Sequence, residues 1–221
     1  MINSNNLIII TTSLPNNEIS MKRKNNLINK FSNFKIIFNE GIIDKTRKFY
    51  QTLKNALETF KNTNSEFAII CDDDFSPIDN FLDELNKTVQ LLPSNWRCLH
   101  LCPGYLWGRK FRDKTKIGSL NAEYNMDKIP FHESGRFYKS CDSNKYFRNK
   151  FWLGGPIAFL VNKNSINSLL NDYVAQYQKN KFNNDVILTK ILNNDDFICR
   201  EPILGFEEEQ GGASVKICTI L

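Results

Sequence analysis

The stretch that most constrains the fold is Phe67-Ala68-Ile69-Ile70-Cys71, an unbroken apolar run followed at once by Asp72, Asp73 and Asp74. A run without polar alternation reads as a strand buried on both faces. Such a strand needs a layer above it and another below, which points to an α/β architecture. The carboxylates then stand where the strand leaves the sheet. Open α/β sheets bind their ligands in the crevice at this carboxyl edge.

The neighbouring segments fit that frame. Leu7–Thr11 reads as a short buried strand ended by the turn formers Thr12 to Asn17, and Phe34–Asn39 as a second strand. From Asp44 to Lys61, Phe49, Leu53, Ala56, Leu57 and Phe60 recur at helical spacing. After the acidic turn, Ser76, Pro77 and Asp79 resemble an N-cap, a first helical residue and a capping box, leading into a stripe of Ile78, Phe81, Leu82, Leu85, Val89 and Leu92. Trp96–Leu101 reads as a strand, and 103–148 as an elaborated loop region rich in Gly, Lys, Asp and aromatics. Phe151–Val161 reads as a strand broken by Gly154-Gly155-Pro156. Ile166 to Tyr177 and Asp185 to Leu192 read as helices, and Phe197–Leu204 as a last strand. Neither an internal repeat nor a linker-like change of composition divides the chain, so one domain over 1–221 is expected, with a mainly parallel mixed sheet sandwiched between helices.

Composition narrows the function. With 41% hydrophobic residues the chain can bury a core. The longest aliphatic run, Leu7–Ile10, is strand-sized, and no basic region with a long apolar segment opens the chain, so no membrane span, no signal peptide and a cytoplasmic location are expected. The six cysteines, at 71, 98, 102, 141, 199 and 218, contain no CxxC pair and read as reduced, mostly buried thiols. The net charge of +5 comes from 29 basic and 24 interspersed acidic residues. A nucleic-acid binder would gather its Lys and Arg on one element, and Lys22-Arg23-Lys24 is too short for that; an anionic small substrate suits the balance better.

Three adjacent carboxylates repel unless a cation or donors compensate. Hard divalent ions such as Mg²⁺ or Mn²⁺ take oxygen ligands, often one or two carboxylates completed by substrate phosphates. Alternate residues leaving a strand point the same way, so Asp72 and Asp74 are expected to converge while Asp73 points elsewhere. A purely structural role is an acidic turn feeding the positive end of the next helix.

At this point the chain resembles a family. Phe67 to Ser76 (FAIICDDDFS) is similar to the DxD segment of GT-A glycosyltransferases, with surroundings like the lipopolysaccharide-type group (family 25, which includes collagen galactosyltransferases) and the fringe-type β-1,3-glycosyltransferases. Further segments follow in the family's order. Trp152 to Phe159 resembles the Gly-Gly-small segment lining the donor sugar site, and Asn184-Asp185-Val186 the motif whose Asp is the base. Glu201-Pro202 through Gln210 and Ser214 resembles the Pro…Gln…Ser ending. The resemblance implies a GT-A fold and transfer of a hexose or deoxyhexose from a nucleoside-diphosphate sugar, UDP foremost, to a glycan or glycoprotein acceptor, with inversion. It implies Mn²⁺ or Mg²⁺ held by Asp74 and Asp72, and Asp185 as general base. It also implies donor contacts at Thr11, Thr12, Ser13, Arg23, Asp72, Asp73, Gly154 and Gly155. The chain has only His100 and His132, so no late histidine completes the metal shell.

Structural roles compete for several of these residues: an ordinary turn at Thr11–Ser13, a β-bulge at Gly154-Gly155, a helix N-cap at Asp185. Glu207–Glu209 stand as backup bases against a solvated acidic loop, and Tyr105, Trp107 and Trp152 can stack on sugar faces or serve as packing residues. Two other functions also remain open. Asp72-Asp73-Asp74-Phe75-Ser76 satisfies the DxDx[TS] pattern of haloacid-dehalogenase-like phosphatases, with Asp195 and Asp196 as later metal carboxylates, although that motif ends a first strand. A domain of this type that binds nucleotide sugar without turnover is the other.

Overall fold

The computed structural model describes residues 1–13, 18–40, 48–102, 130–139, 158–180, 184–202 and 204–207. The apolar run forms the strand expected, and the sheet grows around it. β1 (Leu7–Ser13), β2 (Lys35–Glu40) and β3 (Phe67–Asp72) pair in parallel, Thr12 lying opposite both Asn39 and Asp72. With β5 (Cys98–His100), β6 (Ala158–Asn162) and β7 (Asp196–Ile198) the order is β2-β1-β3-β6-β5-β7. Only β6 runs against its neighbours β3 and β5. The result is a mainly parallel mixed sheet with helices on both faces, as the sequence suggests. Among the described residues no helix is long and apolar enough to cross a membrane.

The pleat divides the core in two. Leu7, Ile9, Ile69, Cys71, Leu99 and Leu160 face the side covered by α1 (Glu18–Lys30) and α3 (Phe81–Val89), together with Leu27, Phe31, Phe81 and Leu85. Ile8, Ile10, Ala68, Ile70, Phe159 and Val161 face α2 (Lys48–Lys61), α4 (Ile166–Asn180) and α5 (Asn184–Lys190). The helical stripes read from the sequence are the ones buried: Leu53, Ala56, Leu57 and Phe60 on α2, and Ile166, Leu169, Leu170 and Tyr173 on α4. Lys163, in the 3-10 turn before α4, extends its ammonium group to the carbonyls of Phe60, Lys61 and Thr63 at 2.7, 2.8 and 2.6 Å, closing the C-terminus of α2.

Several expectations need correction. The helix expected from Ser76 onward begins only at Phe81, with Asn80 in the left-handed region as its N-cap. Phe75–Pro77 is instead a strand, β4, paired with β8 (Gly205–Glu207), and the Ser76 hydroxyl accepts a hydrogen bond from Lys30 at 2.8 Å. Strand pairing satisfies backbone groups that a helical first turn would leave open, so it overrides the local capping pattern. The Phe197–Leu204 strand is likewise shorter, ending at Ile198. β1 runs on through Thr12 and Ser13, which are strand and not turn. Helix α1 has no counterpart in the sequence reading. Cys71, Cys98, Cys102 and Cys199 are buried and form no disulfide, as expected; positions 141 and 218 lie outside the described residues.

Candidate functional site at the carboxyl edge

β1, β2 and β3 end together, so Asn39, Thr12 and Asp72 form one row across the carboxyl edge. The Thr12 hydroxyl donates to Asp72 Oδ1 at 2.9 Å, and Asp72 is exposed. Thr11 and Ser13, on the opposite side of the pleat, are buried. The Ser13 hydroxyl and the Asn39 Nδ2 have no hydrogen-bond partner although both atoms are shielded from water. Buried polar atoms are ordinarily satisfied, so orphans gathered at one edge mark a place where a ligand can supply partners. Asn39 was not singled out from the sequence; its position at the end of β2 was the available signal.

The next two carboxylates turn inward. Asp73 and Asp74 are each 8% exposed. Ser20 donates its hydroxyl to Asp73 Oδ2 at 2.6 Å, and Arg23 reaches Asp73 Oδ1 and Asp74 Oδ2 at 3.3 and 3.4 Å. Both donors project from α1, with Leu27 below them in the core and Lys30 at Ser76. The spacing Ser20, Arg23, Leu27, Lys30 follows one helix face. The expected convergence of Asp72 with Asp74 is not found: the strand ends at Asp72, and alternation does not continue into the turn at 73–74. Asp74 instead shares the Arg23 guanidinium with Asp73, while Asp72 stands apart with Thr12. Burial, and next the charge of Asp72, push the Cys71 thiol well above its usual range, so this cysteine is an inert core group beneath the acids.

Across the sheet, Tyr173 of α4 hydrogen-bonds the Asn184 side chain and reaches the Tyr50 carbonyl in the first turn of α2 at 3.5 Å. Because α2 leaves from the carboxyl edge, this contact brings the N-terminus of α5 to that edge as well. Asp185 is the second residue of α5. Glu207 ends β8 opposite Phe75, one residue beyond Asp74. Gly154, Gly155, Tyr105, Trp107, Trp152, Glu208 and Glu209 lie outside the described residues. Of the two histidines, His132 sits in a turn near Gly135, its Nδ1 2.8 Å from the Ser134 hydroxyl, and its ring stacks on Phe137. His100 is buried in the sheet.

The phosphatase arrangement does not assemble. Asp196 is buried on edge strand β7, three strands from β3, and both its oxygens are held by Arg97. The neighbouring Asp195 accepts from Asn95 at 2.6 Å. Neither carboxylate converges on Asp72.

Comparison with known proteins adds to this geometry. No family model and no curated protein matches the chain. Among solved structures, a glycosyltransferase involved in glycosylation of the major capsid of PBCV-1 superposes with a TM-score of 0.54 at 7% identity, covering 97% of this chain and 99% of that one. The galactosyltransferase LgtC, in complex with donor and acceptor sugar analogues and as an active-site variant, aligns at TM-score 0.46 and 10% identity over 86% of this chain and 72% of its own. The chain thus has the Rossmann-like α/β fold found in glycosyltransferases, over nearly its full length.

Proposed function

We propose that this protein is a glycosyltransferase of GT-A type, moving a hexose or deoxyhexose from a nucleoside-diphosphate sugar to a glycan or glycoprotein acceptor with inversion. The observation that carries the proposal is the meeting of Thr12, Asp72 and the paired Asp73-Asp74 at the carboxyl edge. The fold is shared end to end with a protein whose described role is glycosylation.

The donor would lie along that edge, with Thr11, Thr12 and Ser13 at the nucleoside and Asp72 at ribose or metal. The orphaned Ser13 hydroxyl and Asn39 carboxamide supply donors there. Gly154 and Gly155 are assigned to the sugar by their motif. Among the described residues no group of three or more His, Cys, Asp or Glu could hold a metal ion. By its motif the donor set would be Asp72 and Asp74, a pair that would hold Mg²⁺ or Mn²⁺ with substrate phosphates completing the shell. Such an ion, when bound, neutralises charge on the leaving diphosphate. Arg23, already between two carboxylates, adds a fixed positive charge near the same phosphates. Asp185 would take the proton of the attacking hydroxyl, and the position of the α5 N-terminus at this edge supports that role.

The test is a thermal-shift panel of nucleoside diphosphates and nucleotide sugars with Mn²⁺, Mg²⁺ or chelator, on wild type and Asp74→Ala. A ligand at one hundred times its dissociation constant stabilises by about 2.7 kcal/mol. One nucleotide sugar is expected to raise the melting temperature with metal only, and Asp74→Ala to abolish the rise. Indifference to every nucleotide refutes the proposal, and a UDP-specific response identifies the donor base.

A further inference from the structure

α1 contributes more than packing to the acidic turn. Its inner face is apolar at Leu27, with Phe31 continuing the core just past its end, but at Ser20 and Arg23 it is polar, and those two side chains meet the carboxylate in the middle of the triplet. Asp73 spends Oδ2 on the Ser20 hydroxyl at 2.6 Å and Oδ1 on Arg23 at 3.3 Å, at only 8% exposure. A carboxylate engaged through both oxygens from within the core is poorly placed to reach a ligand at the edge. Asp72, one residue earlier, is exposed and oriented by Thr12. Charge points the same way. Three carboxylates and one guanidinium sum to −2, which one divalent cation balances, whereas the triplet without Arg23 would stand at −3.

We infer that Ser20 and Arg23 are positioning residues, which clasp Asp73 from behind so that it anchors the turn and sets the directions in which Asp72 and Asp74 face the donor and metal. This rests on the glycosyltransferase reading above and deepens it: Asp73 serves the site through α1, with Ser20 as a member that touches no ligand.

The experiment is a Mn²⁺ titration of the purified protein, without nucleotide, following the electron paramagnetic resonance of free Mn²⁺. Wild type, Ser20→Ala, Ser20→Thr, Asp73→Asn and the Ser20→Ala/Asp73→Asn pair are compared, with circular dichroism and melting curves establishing that each is folded. Mutating an outer-shell partner of a metal site typically costs about 10–100-fold in metal affinity, so Ser20→Ala is expected to weaken Mn²⁺ about tenfold. Ser20→Thr, which keeps the hydroxyl, restores it, and the double variant is no weaker than Asp73→Asn alone. Retention of wild-type affinity by Ser20→Ala while Asp73→Asn loses it makes Asp73 a ligand and overturns the clasp, as do additive losses or no loss in either. If wild type binds no Mn²⁺ without nucleotide, the acids do not hold the ion by themselves and the clasp's role in metal binding fails, while metal dependence of the donor is read separately from the thermal-shift panel. That outcome is told apart by the wild-type titration alone.

Discussion

Replacing Arg97 by Met tests how the far half of the sheet is held. Arg97 is 2% exposed, as is the Asp196 side chain it grips. Its Nε donates to Asp196 Oδ1 at 2.8 Å and Nη2 to Asp196 Oδ2 and to the Ile191 carbonyl at 2.7 Å, while Nη1 reaches the half-exposed Asp172 of α4. One side chain therefore ties the base of β5 to β7, to α4 and to the end of α5. Burial alone would lower the guanidinium pKa, but the hydrogen bonds and charge of Asp196, then Asp172, outweigh it and hold the group above its usual value. Removing Arg97 strips the guanidinium from a buried carboxylate, a loss of about 3–5 kcal/mol against a total stability on the order of 5–15 kcal/mol. For a domain of this size that is a fall in melting temperature of roughly 6–20 °C. Arg97→Met with Asp196→Leu removes both charges and is expected to recover most of the loss, since apolar pairs of similar volume often replace buried ion pairs without penalty. Urea and thermal unfolding of wild type, both single variants and the double variant give the cycle. A single-variant loss below about 1 kcal/mol, or a double variant worse than either single, refutes the account of the network as a desolvated pair.

Two further outcomes follow from local geometry. His100 has a buried Nδ1 without a hydrogen-bond partner; burial first, and the charge of Arg97 second, bring its pKa down to about 3. The folded value lies below the unfolded one of about 6.5, so between the two only the unfolded chain binds the proton, and stability falls as pH drops, by about 1.4 kcal/mol per unit and roughly 2 kcal/mol by pH 5. His100→Leu should flatten that part of the profile, and parallel urea-midpoint profiles for wild type and variant between pH 7 and 4 would sink the assignment. Gly205→Ala would set a Cβ 2.2 Å from Phe75 Cε2 and 2.8 Å from the Ser76 carbonyl oxygen, which is backbone and cannot swing aside. A destabilisation of about 1–3 kcal/mol is expected, and an unchanged melting curve would show that β4 and β8 yield more easily than the contact implies.

How much of this was legible in the sequence depended on whether a signal was local and redundant. The central strand announced itself because an unbroken apolar run has few other homes in a soluble fold, and α2 and α4 because several buried positions repeat at one period. The direction of β6 left no trace: a strand buried on both faces has the same composition whether parallel or antiparallel. The pattern at Ser76-Pro77-Ile78-Asp79 was misleading for a similar reason. Its capping residues state a local preference, but the partner that decides the outcome, β8, lies over a hundred residues away, and the hydroxyl read as a cap is taken by Lys30. Among the described site residues, position at a strand end was readable for Thr11 to Ser13 and for Asp72 to Asp74. What each side chain meets there was not.

Helix α1 shows why. Its core-facing side mixes Leu27 with Ser20 and Arg23, so its apolar stripe is interrupted in the turns nearest the acids and no helical period stands out. The interruption has a physical cause. Two carboxylates buried at 8% exposure need donors delivered from a rigid element, and any helix that delivers them gives up apolar positions on its inward side. Weak amphipathicity in a segment beside a strand-end acidic cluster is then what such a site demands of its supporting helix. The same reasoning sorts three adjacent, chemically identical residues. The pleat turns Asp72 outward toward Thr12, α1 draws Asp73 in through Ser20, and Asp74 turns inward beside it on the same guanidinium.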